Sequence, residues 1–194
     1  MSIAGRVRIG EVTILSQNWG MLKRYALDYR RNDGAWQSQT REVYDRGNGA
    51  TILLYDLARR TVVLTRQFRL PAFINGHDDL LIETPAGLLD KASPEDRIRS
   101  ETEEETGFRI THVRKVFEAF MSPGSVSERL YFFVAEYAAS DRKTKGGGLA
   151  EEGEEIDIFE PTIEAALAMV ASGEIVDGKT IILLQHAALT VFAR

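Results

Sequence analysis

The stretch Gly87-Leu-Leu-Asp-Lys-Ala-Ser-Pro-Glu-Asp-Arg-Ile-Arg-Ser-Glu-Thr-Glu-Glu-Glu-Thr-Gly-Phe108 decides the fold of this chain. It contains a clear helix start, because Ser93 is a favourable N-cap and Pro94 suits the first helical position. Gly107 is the expected helix stop, since glycine readily adopts the left-handed conformation of a C-cap. The sequence therefore predicts one helix between Ser93 and Gly107.

Three carboxylates of this helix are predicted to share one face. Glu101, Glu104 and Glu105 stand at positions i, i+3 and i+4, which are neighbours on a helix surface. Like charges at this spacing destabilise an isolated helix by about 0.2–0.5 kcal/mol per pair. We therefore expect the face to bind a cation, and a solvated acidic face is the alternative.

Strand-like runs surround this helix. Three alternating runs in the N-terminal part predict antiparallel strands, and six later runs predict a mixed sheet covered by helices, an α+β sandwich. The predicted strands are 6–15, 22–29, 37–44, 50–55, 61–68, 80–83, 113–120, 130–137 and 156–159; two further helices are predicted at 164–170 and 180–193, and loops at 71–79 and 138–153.

Composition excludes several classes of protein. The 194 residues suit one compact domain, and the absence of cysteine excludes disulfides, thiolate metal sites and cysteine nucleophiles. A net charge of −5 argues against nucleic-acid and anionic-membrane binding. The sequence shows no signal peptide and no membrane-length apolar run, so we expect a cytoplasmic protein.

The helix and the residues around it resemble the Nudix box, the signature of hydrolases that cleave nucleoside diphosphates linked to another group. The matching residues are Gly87, Glu101, Glu104, Glu105, Gly107 and Phe108. The segment is one residue shorter than the usual box, with Ser93 where the family often has glutamate and Ser100 where it usually has arginine.

Four distant segments look like the GDP-mannose pyrophosphatase branch of this family: residues 41–50, 66–69, 121–124 with Glu128, and 177–180. The resemblance implies magnesium-dependent cleavage of GDP-mannose into GMP and mannose 1-phosphate. An ADP-ribose pyrophosphatase is the alternative, because Pro123 lies sixteen residues after Gly107 and suits that branch. A non-catalytic nucleotide sensor is a third interpretation, which the intact set of box glutamates disfavours.

The resemblance also implies roles for individual residues. The metal ligands would be the Ala86 carbonyl, Glu101, Glu105 and Glu154, with Glu104 as a further ligand or a neighbour of one. Magnesium, or alternatively manganese, would be bound. The catalytic residues would be Glu105, Glu104 and Glu154, the last of which would activate water; Glu152 and Glu155 remain alternatives for Glu154.

Further residues are implied in substrate binding: Trp19, Thr40, Arg41, Glu42, Arg69, Ala86, Gly87, Leu88, Glu128, Gly153 and Lys179. Alternatives remain for four of them. Trp19 is equally typical of a buried core residue, Arg69 of a structural salt bridge, Lys179 of the solvent-exposed surface, and Glu128 of a surface acid at the start of a strand.

The resemblance divides the chain in two. Residues 1–46 would form β-strands used in a homodimer, in which they complete the partner's base and sugar pocket. Residues 47–194 would form the Nudix-type α/β/α sandwich.

Overall fold

The computed structural model describes residues 2–193, except the side chain of Glu152. Within this range the chain forms two compact units: the residues up to Asn48 with Ser122–Arg129, and Gly49–Met121 with the residues from Leu130 onward. The strands are β1 (Val7–Gln17), β2 (Met21–Arg30), β3 (Trp36–Asp45), β4 (Gly49–Asp56), β5 (Thr61–Gln67), β6 (Leu81–Glu83), β7 (Ala86–Leu88), β8 (Arg114–Phe120), β9 (Arg129–Glu136) and β10 (Asp157–Phe159). The helices are α1 (Leu70–Ile74), α2 (Pro94–Thr106), α3 (Ile163–Ser172) and α4 (Gly178–Thr190).

The first unit is built on an antiparallel sheet with the order β1-β2-β3. The segment Ser122–Arg129 joins it, because Tyr44 N–H donates a hydrogen bond of 2.8 Å to the carbonyl of Ser125. The predicted antiparallel arrangement of the N-terminal strands is confirmed.

The second unit is built on a mixed sheet with the order β10-β5-β4-β9-β8. The central strands β4 and β9 run parallel, whereas β5 is antiparallel to β4 and β10. The short strands β6 and β7 pair with β5 and β4 respectively. The predicted mixed sheet is therefore confirmed.

Helices cover both faces of this sheet. Side chains alternate along β4, so that Leu53 packs in a core with α3 and α4, while Ile52 and Leu54 pack in a second core with α2. The α/β/α sandwich predicted from the sequence is confirmed. None of the helices in residues 2–193 has the length and hydrophobicity needed to cross a bilayer.

Helix α2 begins and ends as the sequence predicts. The hydroxyl of Ser93 accepts a hydrogen bond of 3.1 Å from the backbone N–H of Asp96, and Gly107 ends the helix with a φ of 77°. Ile98 and Thr102 are fully buried on its inner face. This packing fixes which carboxylates of the helix point toward β7 and β4.

One prediction of local structure was wrong, and one short strand was not predicted. The predicted loop 71–79 begins with the last residues of α1, whose first turn contains Pro71 at a position where its missing N–H costs nothing. Residues Ala86–Leu88 form the three-residue strand β7, which pairs with β4 and was not predicted. Segment 138–153 is irregular as predicted, apart from short 3-10 turns.

Candidate active site

Glu101 and Gly87 face each other at the start of the site. Glu101 lies on the buried side of α2 and is 6% exposed. A Cβ placed at Gly87 would overlap the carboxylate of Glu101, so the absence of a side chain at Gly87 lets helix and strand approach closely. Arg97, one turn earlier on α2, forms an ion pair with Glu101.

Glu105 is a buried carboxylate surrounded mainly by other negative charges. It is 2% exposed, and its Oε2 atom is buried without a hydrogen-bond partner in residues 2–193. Burial raises the pKa of the Glu105 carboxyl well above its usual range, and the charges of Glu101, Glu83 and Glu154 raise it further. Arg69 acts in the opposite direction. A carboxylate in these surroundings is stabilised when a cation approaches it.

Glu154 reaches this region from the loop before β10. It is half-buried, and its Oε2 atom accepts a hydrogen bond of 3.0 Å from the backbone N–H of Leu149. Its charge raises the pKa of both Glu105 and Arg69. Glu155 is exposed, and the side chain of Glu152 lies outside the described part of the structure. These contacts favour Glu154 among the three alternatives.

A glycine-rich segment, Gly146–Gly148, docks the same loop onto the end of α2. The backbone N–H groups of Gly147 and Gly148 donate hydrogen bonds of 2.9 and 3.2 Å to the carbonyls of Glu105 and Glu104. These two carbonyls lie in the last turn of α2, where backbone C=O groups have no hydrogen-bond partner within the helix. These hydrogen bonds therefore fix the position of the loop that carries Glu154 relative to the helix that carries Glu101 and Glu105.

Arg69 and Lys179 meet at a carboxylate that the sequence analysis did not identify. Arg69 Nε donates a hydrogen bond of 2.6 Å to Oε2 of Glu83, and Lys179 Nζ forms an ion pair with Oε1. Lys179 also lies 3.1 Å from Asp177. Its side chain is only 13% exposed, so the surface interpretation of Lys179 is wrong. Arg69 does form a salt bridge, and its partner is Glu83, the same carboxylate that pairs with Lys179.

The pKa values of both cations reflect their surroundings. Burial lowers the pKa of Arg69 and of Lys179, but the nearby carboxylates, with Glu83 contributing most, together outweigh it, and both values lie above their ordinary range. Asp177 contributes to the raised pKa of Lys179, and Glu105 and Glu154 to that of Arg69. Both groups are therefore fully cationic at neutral pH.

Helix α4 is fixed beside β6 by side-chain hydrogen bonds. Asp177 caps the helix, since its carboxylate accepts from Thr180 N–H at 3.0 Å and from the Thr180 hydroxyl at 2.6 Å. The same hydroxyl accepts a hydrogen bond of 2.7 Å from the backbone N–H of Thr84. This network places Lys179, in the first turn of α4, against Glu83 at the end of β6.

The remaining predicted residues of the second unit have simpler surroundings. Ala86 and Leu88 lie in β7 opposite Thr51 and Gly49 of β4. Gly153 has a φ of 76° and is exposed. Glu104 is half-buried, and its carboxylate accepts a hydrogen bond of 2.9 Å from the hydroxyl of Ser100.

Trp19 and Glu128 belong to the first unit. Trp19 is 71% exposed, so the core interpretation is wrong within this chain. The guanidinium of Arg46 lies 5.7 Å from the Trp19 ring and forms hydrogen bonds of 2.6 and 3.1 Å to Oε1 of Glu128. Glu128 is 9% exposed, and is therefore not the exposed acid that its position at the start of a strand allows.

Thr40, Arg41 and Glu42 follow one another on β3, and all three are exposed. Glu42 forms a surface ion pair of 3.1 Å with Arg24 on β2. The guanidinium of Arg41 donates a hydrogen bond of 2.9 Å to the carbonyl of Thr40. An exposed position leaves each of these side chains accessible to a ligand or a partner.

Comparison with known proteins places this geometry in a family. A model of the NUDIX domain matches residues 45–182, and a model described as the GDP-mannose pyrophosphatase NudK N-terminal domain matches residues 6–44. The chain belongs to the Nudix family. The Nudix match covers the mixed sheet, α2 and the first residues of α4, which carry the buried carboxylates and Lys179.

Curated Nudix relatives align over nearly the whole chain. A protein of Pectobacterium atrosepticum named GDP-mannose pyrophosphatase is 52% identical over 182 residues, or 93% of both chains. A protein of the same name from Klebsiella pneumoniae is 53% identical, covering 89% of this chain and 87% of its own. One from Salmonella typhimurium is 53% identical, covering 89% and 90%.

Nudix hydrolases generally use divalent metal ions, and the residues of this site fit such an ion. The buried, unpaired oxygen of Glu105 and the nearby charges of Glu101 and Glu154 form a set of oxygen donors of the kind that magnesium prefers. In residues 2–193 no three His, Asp or Glu side chains are already grouped to hold an ion. Arg97 pairs with Glu101, and the Leu149 N–H donates a hydrogen bond to Glu154. Metal binding therefore has to compete with these two contacts.

Proposed function

We propose that this protein hydrolyses the pyrophosphate bond of GDP-mannose to GMP and mannose 1-phosphate. The observation that carries the proposal is the buried Glu105 carboxylate, unpaired at one oxygen, within the electrostatic reach of Glu101, Glu154 and the cation Arg69. A site of this kind supplies anionic ligands for a metal and cations for phosphate. The relatives named GDP-mannose pyrophosphatase support the choice of nucleotide sugar.

The proposed ion is magnesium, with manganese as the alternative, held by Glu101, Glu105, Glu154 and the carbonyl of Ala86. Such an ion neutralises phosphate oxygens and lowers the pKa of a bound water. Glu105 contributes its unpaired oxygen, and Gly87 keeps the space beside Glu101 free of a side chain.

Arg69 and Lys179 are proposed to bind the pyrophosphate oxygens. Both are held by Glu83 and both are cationic, and Arg69 retains 40% side-chain exposure from which a ligand is accessible. An arginine that uses Nε for an ion pair keeps its two terminal amino groups for phosphate. The backbones of Gly87, Leu88 and Gly153 are proposed to complete the contacts.

Glu154 is proposed to accept the proton of the attacking water. Its position on a loop docked to α2 keeps it near Glu105, and the residue is half-buried rather than fully exposed. Glu104 is proposed as an additional metal ligand or as a neighbour of one; its carboxylate accepts a hydrogen bond from Ser100.

The proposed assembly is a homodimer in which residues 1–46 of one protomer complete the nucleotide pocket of its partner. Trp19 is proposed to stack on the base, and Thr40, Arg41, Glu42 and Glu128 to contact base and sugar. The exposed positions of Trp19 and of the β3 residues support this role. We also propose that the protein is cytoplasmic, where it would meet its nucleotide-sugar substrate. Cell fractionation followed by immunoblotting tests this location.

Product analysis tests the proposed activity. Purified protein is incubated with GDP-mannose and magnesium, and the products are separated by anion-exchange chromatography. We expect GMP and mannose 1-phosphate in equal amounts, and we expect chelation with EDTA to abolish both. Absence of GMP above a control without protein contradicts the proposal.

ADP-ribose pyrophosphatase activity is the second candidate, which the position of Pro123 favours. Comparison of kcat/KM for GDP-mannose and ADP-ribose under identical conditions decides between them. We expect the higher value for GDP-mannose, because the N-terminal match is to a GDP-mannose pyrophosphatase domain. A sensor without catalysis is excluded when either substrate is turned over.

A further inference from the structure

Glu83 is a rigidly placed carboxylate at the centre of the second unit. It is the last residue of β6, it is 3% exposed, and its backbone pairs with Thr65 of β5. The hydroxyl of Thr65 donates a hydrogen bond of 3.2 Å to the carbonyl of Glu83. The sheet therefore fixes the backbone position from which the Glu83 side chain extends.

Each oxygen of this carboxylate holds a different cation. Oε2 accepts the hydrogen bond from Arg69, which precedes α1, and Oε1 pairs with Lys179, which lies in the first turn of α4. In residues 2–193, Glu83 is the carboxylate that both cations contact. The spacing between the two cations is thus set by the two oxygens of one planar group.

Stability alone does not explain this arrangement. The cost of removing charges from water commonly cancels the attraction within a buried ion pair, so that a packed apolar group is often as stable. A carboxylate that divides its two oxygens between two cations does, however, fix where their remaining donors point. The two terminal amino groups of Arg69 remain able to donate hydrogen bonds to an anion. Lys179 has three ammonium donors and two carboxylate partners, so one donor also remains.

We propose that Glu83 is a positioning residue that sets Arg69 and Lys179 at the spacing required to bind a pyrophosphate group. This inference rests on the proposed function, because it assigns the two cations to the phosphates of the substrate. Glu83 acts through the cations and does not touch the reacting atoms. Its loss therefore weakens ligand binding more than it slows the chemical step.

A double-mutant cycle tests this role with Glu83→Gln, Lys179→Met and the combined variant. The probe is imidodiphosphate, a pyrophosphate analogue that lacks base and sugar, and its Kd is measured by calorimetry with magnesium present. We expect Glu83→Gln to raise the Kd about tenfold or more in the wild-type background, and about threefold or less when Lys179 is already methionine, since residues that act together are not additive. We expect the KM for GDP-mannose to rise in parallel with a smaller change in kcat.

Several controls keep the test decisive. Glu174→Gln removes an exposed carboxylate 3.9 Å from Arg66 and should leave the Kd unchanged.

Equal effects of Glu83→Gln in both backgrounds, an unchanged Kd, or a shift in the half-saturating magnesium concentration without a change in KM would each overturn the proposal. If Glu83→Gln does not fold, Glu83→Asp keeps the charge and moves it by one methylene; an unchanged Kd for this variant overturns the proposal as well.

The two hypotheses can fail separately. Wild-type protein that binds imidodiphosphate but does not cleave GDP-mannose contradicts the proposed function, while the cycle still decides the role of Glu83. Wild-type protein that cleaves GDP-mannose but shows no coupling in the cycle retains the proposed function and rejects the role of Glu83.

Discussion

At the scale of single residues, Glu105 offers the sharpest separation of stability from activity. Glu105 is a buried carboxylate near the charges of Glu101, Glu83 and Glu154, so Glu105→Gln, which removes its charge and keeps its shape, should leave the metal-free protein at least as stable as the wild type. Turnover should fall about a hundredfold or more, the usual effect of losing one group that stabilises transition-state charge. Thermal unfolding in EDTA and steady-state kinetics measure the two effects. Glu103→Gln on the same helix, which loses only a surface pair with Arg109, is the matched control and should keep its activity.

Gly87 tests the close approach of β7 to α2. An alanine side chain at this position overlaps the Glu101 carboxylate and should displace it, which we expect to weaken magnesium activation about 10–100-fold. Gly5→Ala is the control, because its added Cβ meets no atom within 4 Å. The magnesium concentration for half-maximal activity is the measurement. Similar values for the two variants would show that Glu101 tolerates displacement and is not a ligand.

What the sequence predicted at this scale follows from helical periodicity. The common face of Glu101 and Glu105 follows from local spacing, whereas the burial of both side chains depends on how α2 packs in the fold. Glu83 was not identified, because its partners Arg69 and Lys179 lie 14 and 96 residues away and meet it only through the fold. The sequence signal for Glu83 was a single glutamate in a short apolar strand, because a charge buried there requires a partner of opposite charge.

At the scale of elements, the Gly146–Gly148 segment is predicted to be essential for the last turn of α2. Gly146 has a φ of +68°, and an added Cβ would lie 2.6 Å from the carbonyl oxygen of Glu105. Gly173 has a similar φ of +82° with nothing within 4 Å, so Gly173→Ala measures backbone strain alone, about 1–2 kcal/mol. We expect Gly146→Ala to lower the free energy of unfolding by more than this, and also to lower kcat because Glu154 moves. Urea unfolding and kinetics test both; equal losses of stability for the two variants would contradict the docking role of this loop.

Elements differed in how well local sequence predicted them. Helix α2 was predicted at both ends because Ser93 and Gly107 satisfy backbone groups by local contacts. Strands β6 and β10, which like β7 have three residues each, were predicted within four-residue strand-like runs, whereas the short elements α1 and β7 were missed. Their formation depends on tertiary pairing, as β7 is defined by its contact with β4.

At the scale of the whole molecule, the arrangement of layers was predictable because strands, a central helix and later strands and helices follow one another in a simple order. The role proposed for the N-terminal sheet requires a second copy of the chain. Its surface keeps Ile9, Ile14 and Trp19 more than half exposed within one protomer. Large apolar side chains in this state are typical of a surface that is covered by a partner.

Mixing of two inactive variants tests the proposed exchange between protomers. Glu105→Gln disables the catalytic unit, and Arg41→Ala disables the N-terminal contribution to the pocket. If each pocket combines the catalytic unit of one protomer with the N-terminal strands of the other, half of the re-associated dimers are mixed, and each mixed dimer contains one intact pocket. The mixture should then recover about a quarter of wild-type turnover after subunit exchange, as expected for a twofold interface. Recovery requires a dimer, which light scattering after size exclusion should show for the wild type and for both variants. A stable dimer without recovered activity would mean that each protomer completes its own pocket, and a monomer would remove the basis for placing Trp19 and Arg41 beside a partner's substrate.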